Sequence, residues 1–356
     1  MSDHPELPSR RSPVIDVHAH AVLEVSLGAA GAAGPELGVS PDGTPFYRVG
    51  GYVLNGVRYA GSPFMDVDVR IAAMDEAGVD VQLLSPNPLT YFDRLDPGAA
   101  VAYARTHNDA LAETVGKHPA RLLGAAQLPV QDVPASIAEA RRAVRELGMA
   151  AVYIGTDPAG RTLGDPGLDP LYEALADLDV PLFVHPSPLG PDGPPQDPRL
   201  RRFDLDLLFG FARDETLAVA ALVFGGVLDR HPGLDVCVSH GGGAAAFVAG
   251  RFARAVEKRP WSARNCGRTG SSTTTAACGS TPTCTTTCRF TCSPSTRGRS
   301  GWCSAPTSQA GTPAPTRGRG STPRSWPPTP PDSCAALTCW RSDDGVRPCG
   351  RSDDGA

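Results

Sequence analysis

Up to residue 258 the chain has one cysteine, Cys237, and no tryptophan, and nowhere does it contain 18 consecutive apolar residues. The first absence excludes a disulfide framework for that part; the last leaves no candidate for a membrane-spanning helix. The opening residues, MSDHPELPSRRSPVIDVH, lack the apolar core of a secretory signal, so the chain is read as cytoplasmic, with no membrane partner. Residues 259–356 lack something different. Among these 98 residues Leu, Ile, Val, Met and Phe together number three (Phe290, Leu337 and Val346), and Lys and Glu are missing altogether. Nine of the ten cysteines, all four tryptophans and 17 Thr fall there, with 12 Arg against five Asp, a net charge of +7. Since the whole chain carries −5, residues 1–258 carry −12. The first part can fold around an apolar core; the second, a Thr/Ser/Pro/Arg/Cys-rich tail, buries too little to offset its chain entropy and reads as disordered. Cys284, Cys288 and Cys292 are not paired as CxxC, and no histidine follows His240, so the tail shows no zinc-ligand spacing. Its arginines are not interleaved with aromatics in a stacking pattern, and no nucleic-acid partner is expected.

Residues 13–258 repeat one theme, a short apolar run followed by a turn and an amphipathic helix. Six strand-like runs stand at 13–20, 79–87, 121–129, 149–156, 180–186 and 234–240, with helical patterns between them, the last a long one at 205–231. Apolar strands alternating with helices predict a parallel α/β sheet buried on both faces, either an open doubly wound sheet or a (β/α)8 TIM barrel. A dinucleotide-binding sheet calls for GxGxxG after the first strand, where this chain has HAHAVLEVS. Histidines instead end the first run (His18, His20), the fifth (His185) and the sixth (His240), and barrel enzymes build their sites at the C-terminal ends of strands. The expectation is a barrel over residues 1–260 that is incomplete at its C-terminal end, strands 7 and 8 not being recognisable. Residues 21–65, rich in Gly and Pro, are then a long loop over the site.

His18 and His20 are two apart, so on a strand both point to one face and can grip one ion. Neutral imidazole suits Zn2+ and similar divalent metals. His107, His118 and His231 fall on helices or helix ends and read as structural. The glycines of SHGGG, after His240, permit a tight strand-to-helix turn or the close approach of a ligand.

IDVHAH, RIAAMDEAGVDVQLLS, AQLPVQD, FVHP and SHGGGAAAFVAGR, in this order and spacing, resemble the amidohydrolase-related family typified by aminocarboxymuconate semialdehyde decarboxylase. The resemblance implies a zinc-dependent barrel of the metal-dependent hydrolase type, commonly a homodimer, that decarboxylates unsaturated or aromatic acids. It implies His18, His20 and His185 as metal ligands and His240 as the acid/base acting with a metal-activated water. It also implies Arg58 and Arg251 as the residues that hold a small-molecule carboxylate substrate, Arg251 reaching across the dimer. Hydrolysis of an ester, amide or lactone by the same apparatus is the alternative activity, and an inactive truncated family member is a third reading.

The family also takes a metal-binding Asp from strand eight, within a Val-Leu-Gly-small-Asp-aromatic string that this chain lacks; between Glu257 and Asp332 there is no acidic residue. The expectation is a frameshift near codon 260, with which the residues are compatible. If each codon is formed from the last base of one residue and the first two of the next, Trp302 into Cys303 must give Val. The steps from Gly301 to Ser308 then permit Val-Val-Leu-Gly-Thr-Asp-Phe. Sequencing the gene is expected to reveal an open, family-like frame downstream of codon 260; a nucleotide sequence without one excludes the frameshift.

Overall fold

A computed structural model describes residues 13–188 and 197–261, together with the backbone of 288–290. These lie within one compact unit, Met1–Pro294; apart from Trp261 and 288–290, the predicted tail of 261–356 falls outside the described residues.

All six expected strands form. β1 (Ile15–Ala21) is followed by an antiparallel three-stranded sheet, β2 (Glu36–Val39), β3 (Pro45–Val49) and β4 (Tyr52–Asn55). The expected long loop of 21–65 therefore contains a small sheet. Its Gly-rich composition hid the strands because the glycines sit in their turns: Gly43 (φ 87°) lies between β2 and β3, and Gly50 (φ 54°) starts the two-residue β3–β4 hairpin. Tyr47 and Val49 alternate inward from β3 to pack with Val22 and Tyr59.

Next come α1 (Val67–Ala77), β5 (Val81–Pro86), α2 (Pro97–Gly116), β6 (Leu122–Gln127), α3 (Val133–Arg145), β7 (Ala151–Ile154), α4 (Asp169–Asp177) and β8 (Leu182–Val184). Aspartates start three of these helices. Asp66, Asp96 and Asp132 each accept backbone N–H groups of the first turn, and Gly78 ends α1 in the left-handed conformation. The single helix expected at 205–231 is broken into a π-turn at Asp206–Gly210, α5 (Phe211–Phe224) and α6 (Val227–Arg230). Gly225 and Gly226 cause the second break. Gly226 is left-handed, and the Gly225 backbone packs so closely on Gly164 that a Cβ would come within 2.8 Å of the Gly164 Cα and closer still to the Ala221 carbonyl. β9 (Val236–Val238), α7 (Ala245–Lys258) and β10 (Cys288–Phe290) complete the described elements.

The main sheet runs β1-β5-β6-β7-β8-β9, parallel throughout, with β10 added antiparallel to β9. A barrel that stops at its sixth strand would leave that strand with a bare edge; here the ladder groups on the far side of β9 pair with 288–290. This pairing does not extend the barrel, whose strands are parallel. One side of the sheet packs on the helices through Leu111, Leu122, Val152, Leu171, Leu182, Leu222 and Val236. On the other side Val17, Leu83, Ala125, Tyr153, Phe183 and Cys237 come one from each of the six strands and form an interior layer. Cys237 is core, as its apolar run implied. Among the described residues no helix is long and apolar enough to cross a membrane.

Gly225→Ala is expected to destabilise the fold by about 1–3 kcal/mol, because backbone rather than a flexible side chain must move. Urea unfolding should show a lower midpoint at unchanged m value; an unchanged midpoint contradicts the close approach.

Candidate metal centre and acid–base residue

Laid flat at about 4.8 Å per strand, a six-stranded sheet separates its outer strands by about 24 Å. Yet the His18 ring from β1 and the His240 ring, two residues beyond β9, have centroids 4.8 Å apart. The sheet has therefore curled until the end of its sixth strand meets that of its first. His185, immediately after β8, completes the convergence, with centroids 5.0 Å from His18, 4.9 Å from His20 and 4.9 Å from His240. All four strand-end histidines identified in the sequence are in one cluster.

Hydrogen bonds set which imidazole nitrogens carry lone pairs. His185 Nδ1 lies 2.6 Å from the Pro186 carbonyl oxygen, and His20 Nδ1 lies 3.1 Å from that of Pro86 and 2.8 Å from Ser85 Oγ. A carbonyl only accepts, so Nδ1 holds the hydrogen in both rings and Nε2 the lone pair. Burial pushes the His18 pKa down to about 4 and those of His20 and His185 well below the ordinary value, with neighbouring imidazoles adding to the effect. These three rings are neutral donors near pH 7, the form that a metal requires. One donor atom from each of His18, His185 and His240 falls within 4.8 Å of the others. His20 contacts two of these rings but stands outside that trio. Such a donor set fits a divalent metal ion.

β1 is held from behind. Arg70 of α1, 6% exposed, donates to the His20 carbonyl at 2.7 Å and to Gln82 Oε1 at 2.9 Å. Gln82 in turn donates to Asp16 Oδ2 at 2.9 Å, while Asp16 Oδ1 accepts the His18 amide, also at 2.9 Å. Burial lowers the Arg70 pKa to about 10, leaving it charged at neutral pH beside Asp16.

His240 differs from the other three. Its side chain is 40% exposed, its backbone is left-handed (φ 47°), and its Nδ1 lies 2.5 Å from Oε1 of Glu215, a fully buried carboxylate on α5. After it Gly241, Gly242 and Gly243 all have positive φ. A Cβ on Gly243 would collide with the Ala212 backbone and approach Thr216 Oγ1 to 2.9 Å, so this turn packs against the start of α5. Thr216 Oγ1 also accepts the Ala244 amide at 2.8 Å. These glycines form the expected tight strand-to-helix turn. Phe211 stands beside both His185 and His240, with centroids at 5.8 and 5.9 Å, and gives the cluster an apolar wall.

Arg58, beyond β4, and Arg251, on α7, are both exposed, and no described hydrogen bond or ion pair ties either to the histidines. His107 is buried against Tyr103, and His231 lies 3.0 Å from Asp169; neither belongs to the cluster. Sequence reasoning missed Glu215. The available signal was an acidic residue three, four and seven positions before the buried Ala218, Val219 and Leu222, on the apolar face of α5.

Residues 15–275 match the sequence family described as Amidohydrolase. A curated relative, the 2-amino-3-carboxymuconate-6-semialdehyde decarboxylase of Dictyostelium discoideum, is 37% identical over 196 residues, which cover 55% of this chain and 53% of that protein. The chain spans about half the length of the first curated relatives that it matches, 53–58%. Among solved structures, the apo form of IDCase from Metarhizium anisopliae shares the fold, with a TM-score of 0.61 at 24% identity over 71% of each chain. The 5-carboxyvanillate decarboxylase of Novosphingobium aromaticivorans, crystallised with manganese and 4-hydroxy-3-methoxy-5-nitrobenzoic acid, gives a TM-score of 0.50 at 29% identity over 55% of each chain.

His185→Ala is expected to abolish binding of Zn2+ or Mn2+ in competition with a chromogenic chelator. Ser85→Ala, which removes one partner of His20 Nδ1, should weaken binding about 10-fold. Unchanged affinity in both variants contradicts a metal centre at these rings.

Proposed function

The chain belongs to the amidohydrolase family, and on that premise we propose that it is a metal-dependent carboxy-lyase that removes CO2 from an unsaturated or aromatic carboxylic acid. The observation that carries this reading is the cluster of three neutral imidazoles, His185 buried and His18 and His20 half-buried, beside one exposed imidazole held by a carboxylate. Decarboxylases of such acids among the relatives support it.

His18, His20 and His185 hold the ion in this proposal. Zinc is the ion we propose, because neutral imidazoles suit it; elemental analysis separates it from manganese, the ion in the related carboxyvanillate enzyme. When bound, a divalent ion supplies Lewis-acid polarisation of a substrate oxygen and eases ionisation of water. His240 supplies the proton transfer. Nε2 takes a proton from water and gives it to the carbon bearing the carboxylate; the electron pair of the breaking C–C bond goes back into the conjugated system as CO2 leaves, and the hydroxide left from water carries the carboxylate's negative charge to solvent. Phe211, its ring centroid 5.9 Å from that of His240, puts an apolar surface beside the acid/base. Arg58 and Arg251 are the proposed grips on the substrate carboxylate, for which guanidinium offers two parallel donors.

A homodimer fits the exposed apolar side chains Phe203, Leu208, Phe209, Leu217 and Phe247, and α7, which buries only Ala245. Arg251 lies on this same helix, accessible to a second subunit.

The full chain, loaded with Zn2+ or Mn2+ and given 2,6-dihydroxybenzoate, 5-carboxyvanillate or 2-amino-3-carboxymuconate semialdehyde, is expected to release CO2. His240→Ala should lose on the order of 10²–10⁴-fold in kcat, and Arg251→Ala should raise KM. Ester or lactone cleavage without CO2 release replaces this reading with a hydrolase.

A further inference from the structure

Glu215 is fully buried, and the residues that surround its carboxylate give it a narrow role. Oε1 accepts from Ser239 Oγ at 2.6 Å and from His240 Nδ1 at 2.5 Å, whereas Oε2 is buried with no hydrogen-bond partner among the described residues. A carboxylate is expensive to bury, and this one is not used to tie helices together: its two partners are consecutive residues of the strand-end turn. That turn has an unusual backbone, since His240 sits at φ 47°, the left-handed region that a residue with a Cβ enters at some cost. A strained residue persists only where its surroundings fix it, and here the Gly243 turn packed on α5 and the Glu215 carboxylate do so.

We propose that Glu215 is the positioning residue of His240: it holds Nδ1–H, thereby fixing the tautomer and the ring plane, and leaves Nε2 as the atom that exchanges protons. Ser239 aims the carboxylate by occupying the same oxygen, which keeps Oε1 on the His240 side. The pairing comes from α5, the helix that follows β8, so one connection carries both the metal-side His185 at its start and the support for the acid/base at its helix. This inference rests on the reading of His240 as the acid/base.

Two measurements test it on the full chain. In long-range 1H–15N NMR correlation spectra, which need no turnover, wild-type His240 is expected as the Nδ1–H tautomer, shifting towards Nε2–H in Glu215→Ala. Glu215→Gln, whose amide oxygen still accepts from Nδ1–H, should keep the wild-type tautomer. In kinetics, Glu215→Ala should lower kcat on the order of 10²-fold while KM and bound metal stay within twofold, and Glu215→Gln should recover at least a tenth of the wild-type kcat. An unchanged tautomer in Glu215→Ala overturns the proposal, as does a loss of kcat, metal and KM together that Glu215→Gln fails to rescue. If Glu215→Ala does not fold, Ser239→Ala substitutes for it, with partial loss of the Nδ1–H tautomer expected and full retention overturning the proposal. An active His240→Ala removes the acid/base reading itself; an inactive His240→Ala beside a fully active Glu215→Ala removes only the role given to Glu215.

Discussion

The convergence of four imidazoles depends on one constraint, the curl of the six-stranded parallel sheet. His18 and His20 leave its first strand, while His240 leaves its sixth, so the separation between them falls from about 24 Å to ring contact only because each strand is rotated against the next in the same sense. The interior layer of Val17, Leu83, Ala125, Tyr153, Phe183 and Cys237 holds that curl from within, with the helices packed on the outside. Anything that flattens the sheet dissolves the cluster before it touches a histidine.

Within the cluster, burial and hydrogen bonding divide the work. His185 and His20 give their Nδ1–H to prolyl carbonyls, are deeply desolvated and stay neutral, which suits lone-pair donation. His240 gives its Nδ1–H to an anion and keeps 40% of its side chain exposed, which suits proton exchange. The four rings are chemically alike until their second partners are considered. The network of Arg70, Gln82 and Asp16 behind β1 does the same at the level of backbone, fixing the strand from which two of the rings project.

Much of this was legible in the residues because it followed from period. Strands two faces thick read as unbroken apolar runs, aspartates stand at the helix starts, and an HxH on a strand puts both rings on one face whatever the surroundings. Three things were not legible. The sheet of β2–β4 was hidden by glycines that mark hairpin turns as readily as loops. The break in the helix at 205–231 came from Gly225 meeting Gly164, 61 residues away, a contact with no local signature. Glu215 looked like any helical carboxylate because its partner, His240, is 25 residues further along the chain.

The sequence by itself determined the order of the six parallel strands, the strand–helix alternation that makes a parallel α/β sheet, and the four histidines at strand ends, since each depends on spacing along one segment. It also marked the change in composition near residue 260, beyond which apolar side chains are too few to build a core. Only the tertiary structure decided which nitrogens carry lone pairs, which imidazole stays open to solvent, and that a buried carboxylate from α5 stands behind His240. Those depend on distances between segments that are remote in the chain, and hydrogen-bond partners and burial exist only once the sheet has curled.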